Sequence, residues 1–336
     1  MRIFVLLLAL FSAAVLAAQN PVPVIFDTDM GNDVDDALAL AELHALETRG
    51  EANLLAVTIT KDNRWAPIFV DLLNTFYGRP GIPIGIVKGG KTPEDGNYTR
   101  AVAEEKRPDG AALYAHRIGP QSDIPNAVLL LRKTLASQAD GSVVIVQVGF
   151  STNLARLLDS APDDASPLSG RELVRRKVRL LSMMAGEFRG GHRAEYNITN
   201  DIPAAQKLFR EWPGEIVTSG FDIGESIRYP AASLGADFRY VREHPLADAY
   251  RAYRRMPYDE PLWDPTAALY GVRSDRGYFN LSPPGNISVD DKGNTTFTPS
   301  QGGKQRYLTV DDVQRARMRE AISMLVSEPP AKGPRN

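Results

Sequence analysis

Five aspartates fall within ten residues, Asp27, Asp29, Asp33, Asp35 and Asp36, between the apolar run Val22–Phe26 and a stretch of helical spacing that starts at Asp35. Few folds accept so much like charge in one place. Close carboxylates raise one another's pKa unless a cation sits among them. In open parallel sheets, sites lie at the carboxyl ends of strands, and the cluster follows an apolar strand directly. The ion that suits it is hard and divalent, since calcium takes roughly six to eight oxygen ligands and tolerates irregular geometry. Aspartates before a helix also act as caps, which would account for one or two of the five.

The rest of the chain repeats the strand-then-helix pattern. Strands are predicted over 22–26, 54–60, 83–87, 143–148, 178–184 and 215–218, and helices over 35–48, 66–77, 124–137 and 203–212. Leu38, Ala41, Ala45 and Leu46 give the first helix one apolar side. Such alternation predicts an α/β fold: an open, mostly parallel, Rossmann-like sheet with helices on both faces. Asn286 to Pro299 alternates around Asp-Lys-Gly-Asn and reads as a hairpin. Thr309 is expected to cap a closing helix, with Asp312 in a variant capping box. The expected organisation is a signal peptide (1–18), a single domain (19–327) and a loose tail (328–336).

Composition narrows the chemistry. The chain has no cysteine, which excludes disulfides, thiolate metal sites and a cysteine nucleophile. Its net charge of −2 and lack of a basic run make nucleic acid a poor partner. Met1-Arg2 followed by the apolar run Ile3–Leu16 reads as a secretory signal, too short for a membrane span. The expectation is export to the periplasm or the outside of the cell, with no membrane segment after cleavage.

Three further segments carry polar side chains: Gly149–Ala155 after the strong strand, the loop 186–200 with Glu195, Tyr196 and Asn197, and Leu262-Trp263-Asp264-Pro265. Singly, each is explained by a helix cap or a solvated loop. An EF-hand does not fit, because Leu38 stands at the twelfth position counted from Asp27. A phosphoaspartyl phosphatase fits poorly, because Gly31 replaces its Thr or Val. Taken together and in order, the segments from Val24 to about Tyr270 resemble the inosine–uridine-preferring nucleoside hydrolases.

The resemblance implies calcium-dependent cleavage of the N-glycosidic bond of nucleosides. Asp29 would ligate calcium and act as general base toward a water on the ion. Asp36, the backbone carbonyl of Thr152 and the carboxylate of Asp264 would complete the protein ligands. Asp35, Asn63, Glu195 and Asn197 would bind the ribose, and Asp27 would support the cluster from behind. The family commonly forms dimers or tetramers, so a homo-oligomer is implied, although no segment identifies an interface.

The chain departs from the family pattern in three places. Asp33-Val34 is extra, so Asp33 competes with its neighbours for a place in the site. Trp263 stands where many members have histidine, a variant that resembles the purine-preferring branch, where an aromatic ring stacks on the base. Arg189 stands where an asparagine often binds the ribose 5′ side; it suits a charged 5′ substituent or faces solvent. None of the four histidines is an obvious leaving-group acid; His192 is the one in the right loop. A hydrolase of another N-riboside or sugar, and a non-catalytic calcium-dependent binding protein, are the competing functions.

Overall fold

The computed structural model describes residues 20–191 and 193–331. The expected signal peptide, His192 and residues 332–336 of the expected tail lie outside the described residues. The strands are β1 (Val22–Thr28), β2 (Ala52–Lys61), β3 (Ile84–Lys91), β4 (Val143–Gln147), β5 (Val178–Met184), β6 (Ile216–Ser219), β7 (Arg228–Tyr229), β8 (Glu260–Pro261), β9 (Asn280–Leu281), β10 (Gly285–Val289), β11 (Thr295–Pro299) and β12 (Gln305–Thr309). Ten of them form one sheet in the order β11-β10-β12-β6-β5-β4-β1-β2-β3, with β9 pairing to β12. Strands β1 to β6 and the β12–β6 pair are parallel; the predicted hairpin β10–β11 is antiparallel.

The sheet is apolar because both faces are covered. Phe26 of β1 lies between Val57 and Val146 in register. Val24 and Phe26 face one core with the helices Asp35–Thr48, Trp65–Phe76, Trp263–Arg273 and Asp312–Val326. Ile25 faces the other with the helices Ala127–Ala136, Thr152–Asp159, Gly170–Lys177 and Ile202–Glu211. The chain builds outward from β1 to β3, returns, and builds the other way from β4 to β6. The order reverses between β1 and β4, so the crevice at their carboxyl ends is a topological switch point.

Two local expectations are corrected. Helix Asp35–Thr48 is buried on all sides from Asp35 to Leu46, including Glu42 and His44, because the helices Trp263–Arg273 and Asp312–Val326 also pack on it. Thr309 does not cap the closing helix; it ends β12. The cap is Asp311, whose side chain accepts from Gln314 N while Gln314 returns the bond, a complete capping box two residues later than predicted.

Candidate active site

The acidic segment turns at the end of β1. Asp27, still in the strand, is buried beneath the site, where its Oδ1 accepts from Thr58 Oγ1 at 2.6 Å and Asn153 Nδ2 at 2.9 Å. Burial pushes its carboxyl up to about 7, against the pull of those two bonds. Asp29 follows in the turn, its Oδ2 accepting from Asn32 Nδ2 at 2.6 Å. Burial, and then the charge of Asp33, push Asp29 up to about 8. Asp36, in the first turn of the helix, accepts from the Thr28 hydroxyl. Asp35 Oδ2 accepts the backbone N–H of Asp264 at 3.0 Å, which joins the two ends of the motif set across 229 residues. Burial first, and the neighbouring carboxylates second, hold Asp35, Asp36 and Asp264 well above the usual range.

The turn itself is clamped from outside. Gly31 has φ +110°, a conformation that suits glycine. Its N–H donates to Tyr98 Oη at 2.8 Å, and that hydroxyl donates to the Asp33 carbonyl at 2.7 Å. Gly149, after β4, is equally constrained: a Cβ there would stand 2.3 Å from Thr60 Oγ1 and 2.6 Å from Asp29 N. The glycine lets the β4 loop close onto the end of β1.

Above this floor lies a cavity with an empty volume of about 390 Å³. Asp29, Asp33 and Asp264 line its acidic side, and Glu195, Asn197, Phe221 and Trp263 line its other walls. Glu195 caps the short helix Tyr196–Asn200, accepting from Asn197 N at 2.7 Å, Gly186 N at 3.2 Å and Ile198 N at 3.3 Å. Burial still outweighs those bonds and raises it to about 7. Asn197 Nδ2 donates to the Val148 carbonyl at 2.7 Å. Trp263 is half-buried and stacks on Phe221 at 5.4 Å between centroids, with Nε1 donating to the Phe221 carbonyl. Gly224 gives the indole its room, since a Cβ there would lie 2.3 Å from Trp263 Cδ1.

The fold therefore brings Asp29, Asp33, Glu195, Asn197, Trp263 and Asp264 onto one cavity, with Asp35 and Asp36 packed behind. Asn63 is not among the cavity's lining residues: its amide donates to the Pro93 carbonyl and Asp95, and its Oδ1 accepts from Trp65 N. Thr152 opens the helix after β4 and gives its hydroxyl to Asp201; it is not among the cavity's lining residues. Arg189 lines a separate depression with Asp222, Ile223, Ser226, Val310 and Arg315. A larger cleft beside Phe76, Tyr114 and Arg242 holds no carboxylate cluster. Several neighbours of the site carried no signal in the sequence. Tyr98, Lys61 and Asn32 brace the acidic turn. Glu260 is buried with both carboxylate oxygens unpartnered, and burial and then Asp33 push it up to about 8. The signal that could have flagged Glu260 is its position four residues before Asp264.

The donors fit a hard divalent cation. One carboxylate oxygen each of Asp27, Asp35, Asp36 and Asp264 is buried with no hydrogen-bond partner, a costly state for an anion left alone. Asp33, Asp35 and Asp264 each offer an oxygen within 4.8 Å of the others, so the extra Asp33 is part of the cluster. A cation among all-oxygen donors would remove the mutual repulsion and favour the ionised forms.

Comparison with known proteins agrees with this geometry. The family described as inosine-uridine preferring nucleoside hydrolase matches residues 24–320. Among curated proteins, the pyrimidine-specific ribonucleoside hydrolase RihA of Salmonella paratyphi B is 31% identical over 220 residues, covering 63% of this chain and 64% of that protein. RihA of Citrobacter koseri is 31% identical over 209 residues, covering 60% of each. The chain thus spans just under two thirds of the length of the curated relatives it matches. In fold, it is similar to the plant nucleoside hydrolase PpNRh1, with TM-score 0.67 and 21% identity, covering 92% of this chain and 100% of the other. It is likewise similar to the purine-preferring ribonucleoside hydrolase from Gardnerella vaginalis, with TM-score 0.67 and 19% identity, covering 91% and 98%.

Proposed function

The chain belongs to the inosine–uridine preferring nucleoside hydrolase family, and we propose that it hydrolyses the N-glycosidic bond of ribonucleosides to free base and ribose in a calcium-dependent reaction. The observation that carries this reading is the convergence on one cavity of a buried carboxylate floor with unpartnered oxygens and an aromatic wall. Asp29, Asp36, Asp264 and the Thr152 carbonyl would hold the ion, and Asp33 is near enough to join them. Bound calcium supplies Lewis acidity toward water and toward the ribose hydroxyls.

The chain's own residues do the rest. One oxygen of Asp29 is held by Asn32, and the other is left to take the proton of the attacking water. The water oxygen bonds to the anomeric carbon as the C–N bond breaks, and the bonding pair leaves with the base nitrogen. The transition state is oxocarbenium-like, and the surrounding carboxylates favour its positive charge. Glu195 and Asn197 face the ribose from the other wall. Asp35 reaches it from behind Asp264, and Asp27 supports Asp29 from below. Trp263, stacked on Phe221, offers a face to a purine, which takes its proton from solvent. The named relatives divide between pyrimidine-specific and purine-preferring, so the base is assigned from Trp263 alone. The apolar start supports export of a single-domain hydrolase acting on nucleosides outside the cytoplasm.

The test is reducing-sugar release from a panel of purine and pyrimidine nucleosides with and without a calcium chelator. Chelator-sensitive release, strongest with purines, supports the reading. A folded protein that binds calcium but releases no sugar from any nucleoside refutes it in favour of a binding protein or another riboside.

A further inference from the structure

The last residue of β2, Lys61, is almost wholly buried beside the acidic turn. Its Nζ donates to Asn32 Oδ1 at 2.7 Å and to the Thr92 carbonyl at 2.8 Å. Asn32 in turn donates Nδ2 to Asp29 Oδ2 at 2.6 Å. An ammonium can only donate, so it fixes which end of the Asn32 amide carries the oxygen. The amide nitrogen then has to face Asp29. We propose that Lys61 and Asn32 are positioning residues that hold Asp29 in its working rotamer without a direct ion pair to it. The inference rests on the proposed hydrolase reading, in which Asp29 is the base.

The arrangement differs from a direct ion pair in a useful way. A lysine bonded to Asp29 itself would occupy the carboxylate and offset its charge. An amide interposed between them passes on orientation and commits one oxygen only. Lys61 is anchored by a segment that has little freedom of its own. Thr92, a β-branched residue, sits at φ 48°, a strained conformation that the surroundings must enforce. Its Oγ1 also lies 3.4 Å from Asn32 Nδ2. Four residues on, Gly96 packs so closely on the acidic turn that a Cβ would stand 1.9 Å from the Gly31 carbonyl oxygen. The segment 92–98 ends at Tyr98, whose hydroxyl binds both Gly31 and Asp33. It acts as a strap across the turn, and Lys61 and Asn32 connect it to Asp29.

Outer partners of a metal-ligating side chain, the second role proposed for Asp29, typically contribute about 10- to 100-fold in metal affinity or activity. The experiment compares the wild type with Asn32→Ala, Lys61→Met, Lys61→Arg and the double variant Asn32→Ala/Lys61→Met. Initial rates on the best nucleoside substrate are measured with calcium calorimetry and thermal unfolding of each. The expected result is a kcat loss of about 10- to 100-fold in Asn32→Ala and Lys61→Met, with KM within about threefold. The double variant should be no worse than the poorer single, because both act through one contact. Lys61→Arg, which keeps a donor, should recover most of the rate. Asn32 is less buried than Lys61, so its truncation tests the relay even if Lys61→Met unfolds. An unchanged kcat in folded Asn32→Ala, additive losses in the double variant, or a rise in KM alone would overturn the relay. If the wild type releases no sugar yet binds calcium, the hydrolase reading fails while the relay stands or falls on calorimetry: Asn32→Ala must then weaken calcium binding about tenfold. A wild type that neither turns over nor binds calcium overturns both.

Discussion

The two walls of the cavity are built on different terms. The acidic floor is locked: Asp27, Asp29, Asp35 and Asp36 are each held by a hydrogen bond from another group, and Tyr98 clamps the turn that carries them. The opposite wall keeps Glu195 and Asn197 buried and bonded, but its rim is more exposed. Trp263 is half-buried, Tyr196 is 51% exposed, and Arg193 lies 4.5 Å above the Phe221 ring at the cavity's edge. In the proposed reading, chemistry that needs atoms placed within fractions of an ångström would sit on the floor, and recognition of a flat base, which needs a face more than a fixed point, would sit at the exposed rim. The contrast implies that changes to the floor act on kcat and changes to the rim act on KM.

The largest effect tests the floor directly. Asp29→Asn should lower kcat by roughly 10² to 10⁴ and, in the presence of a chelator, leave Tm unchanged or higher, because a crowded buried carboxyl is removed; initial rates and calorimetric unfolding check both. Chelation should come next. Calcium at about 100-fold above its Kd stabilises by about 2.7 kcal/mol, so a chelator should lower Tm by several degrees as it abolishes turnover. Tyr98→Phe leaves the Gly31 N–H without its acceptor, at a cost of about 1–3 kcal/mol. Its signature in steady-state kinetics should be a fall in kcat; a rise in KM alone would break the division between the walls.

Trp263→Ala is the matching test of the rim. Loss of a stacking face worth about 1–3 kcal/mol should raise KM for purine nucleosides by roughly 5- to 150-fold, with kcat nearly constant and pyrimidines affected less. A fall in kcat of the same size would show that the rim also places the reacting carbon. The smallest effect is on stability against pH. Burial raises Glu195 from its ordinary 4.5 to about 7. Between those values the folded chain keeps a proton that the unfolded chain has lost, so stability falls as pH rises across that window and is level above it. Glu195→Gln should make the denaturation midpoint less dependent on pH between about 4.5 and 7; an unchanged slope would mean the carboxyl is not desolvated.

Much of this was readable in the chain. The helix Asp35–Thr48 and the strand Val178–Met184 were predicted at their observed bounds, because an apolar run between polar ends is a local mark along the chain. The charge density of Asp27 to Asp36 marked the floor for the same local reason. The bonds of Asn63 were not readable: its amide is taken up by Pro93 and Asp95, a pairing set by how the loop after β3 folds back.

The sequence by itself determined a strand, an acidic turn and a helix in succession, a parallel sheet to hold them, and a site at the strand's end. Only the tertiary structure decided which residues hold the carboxylates in place. Lys61 meets Asn32 across 29 residues, Tyr98 meets Gly31 across 67, and Asp264 meets Asp35 across 229. The physical reason is range. Helical and strand periods and charge crowding are properties of neighbours along the chain, whereas a hydrogen-bond partner is chosen by whichever group packing brings within about 3 Å.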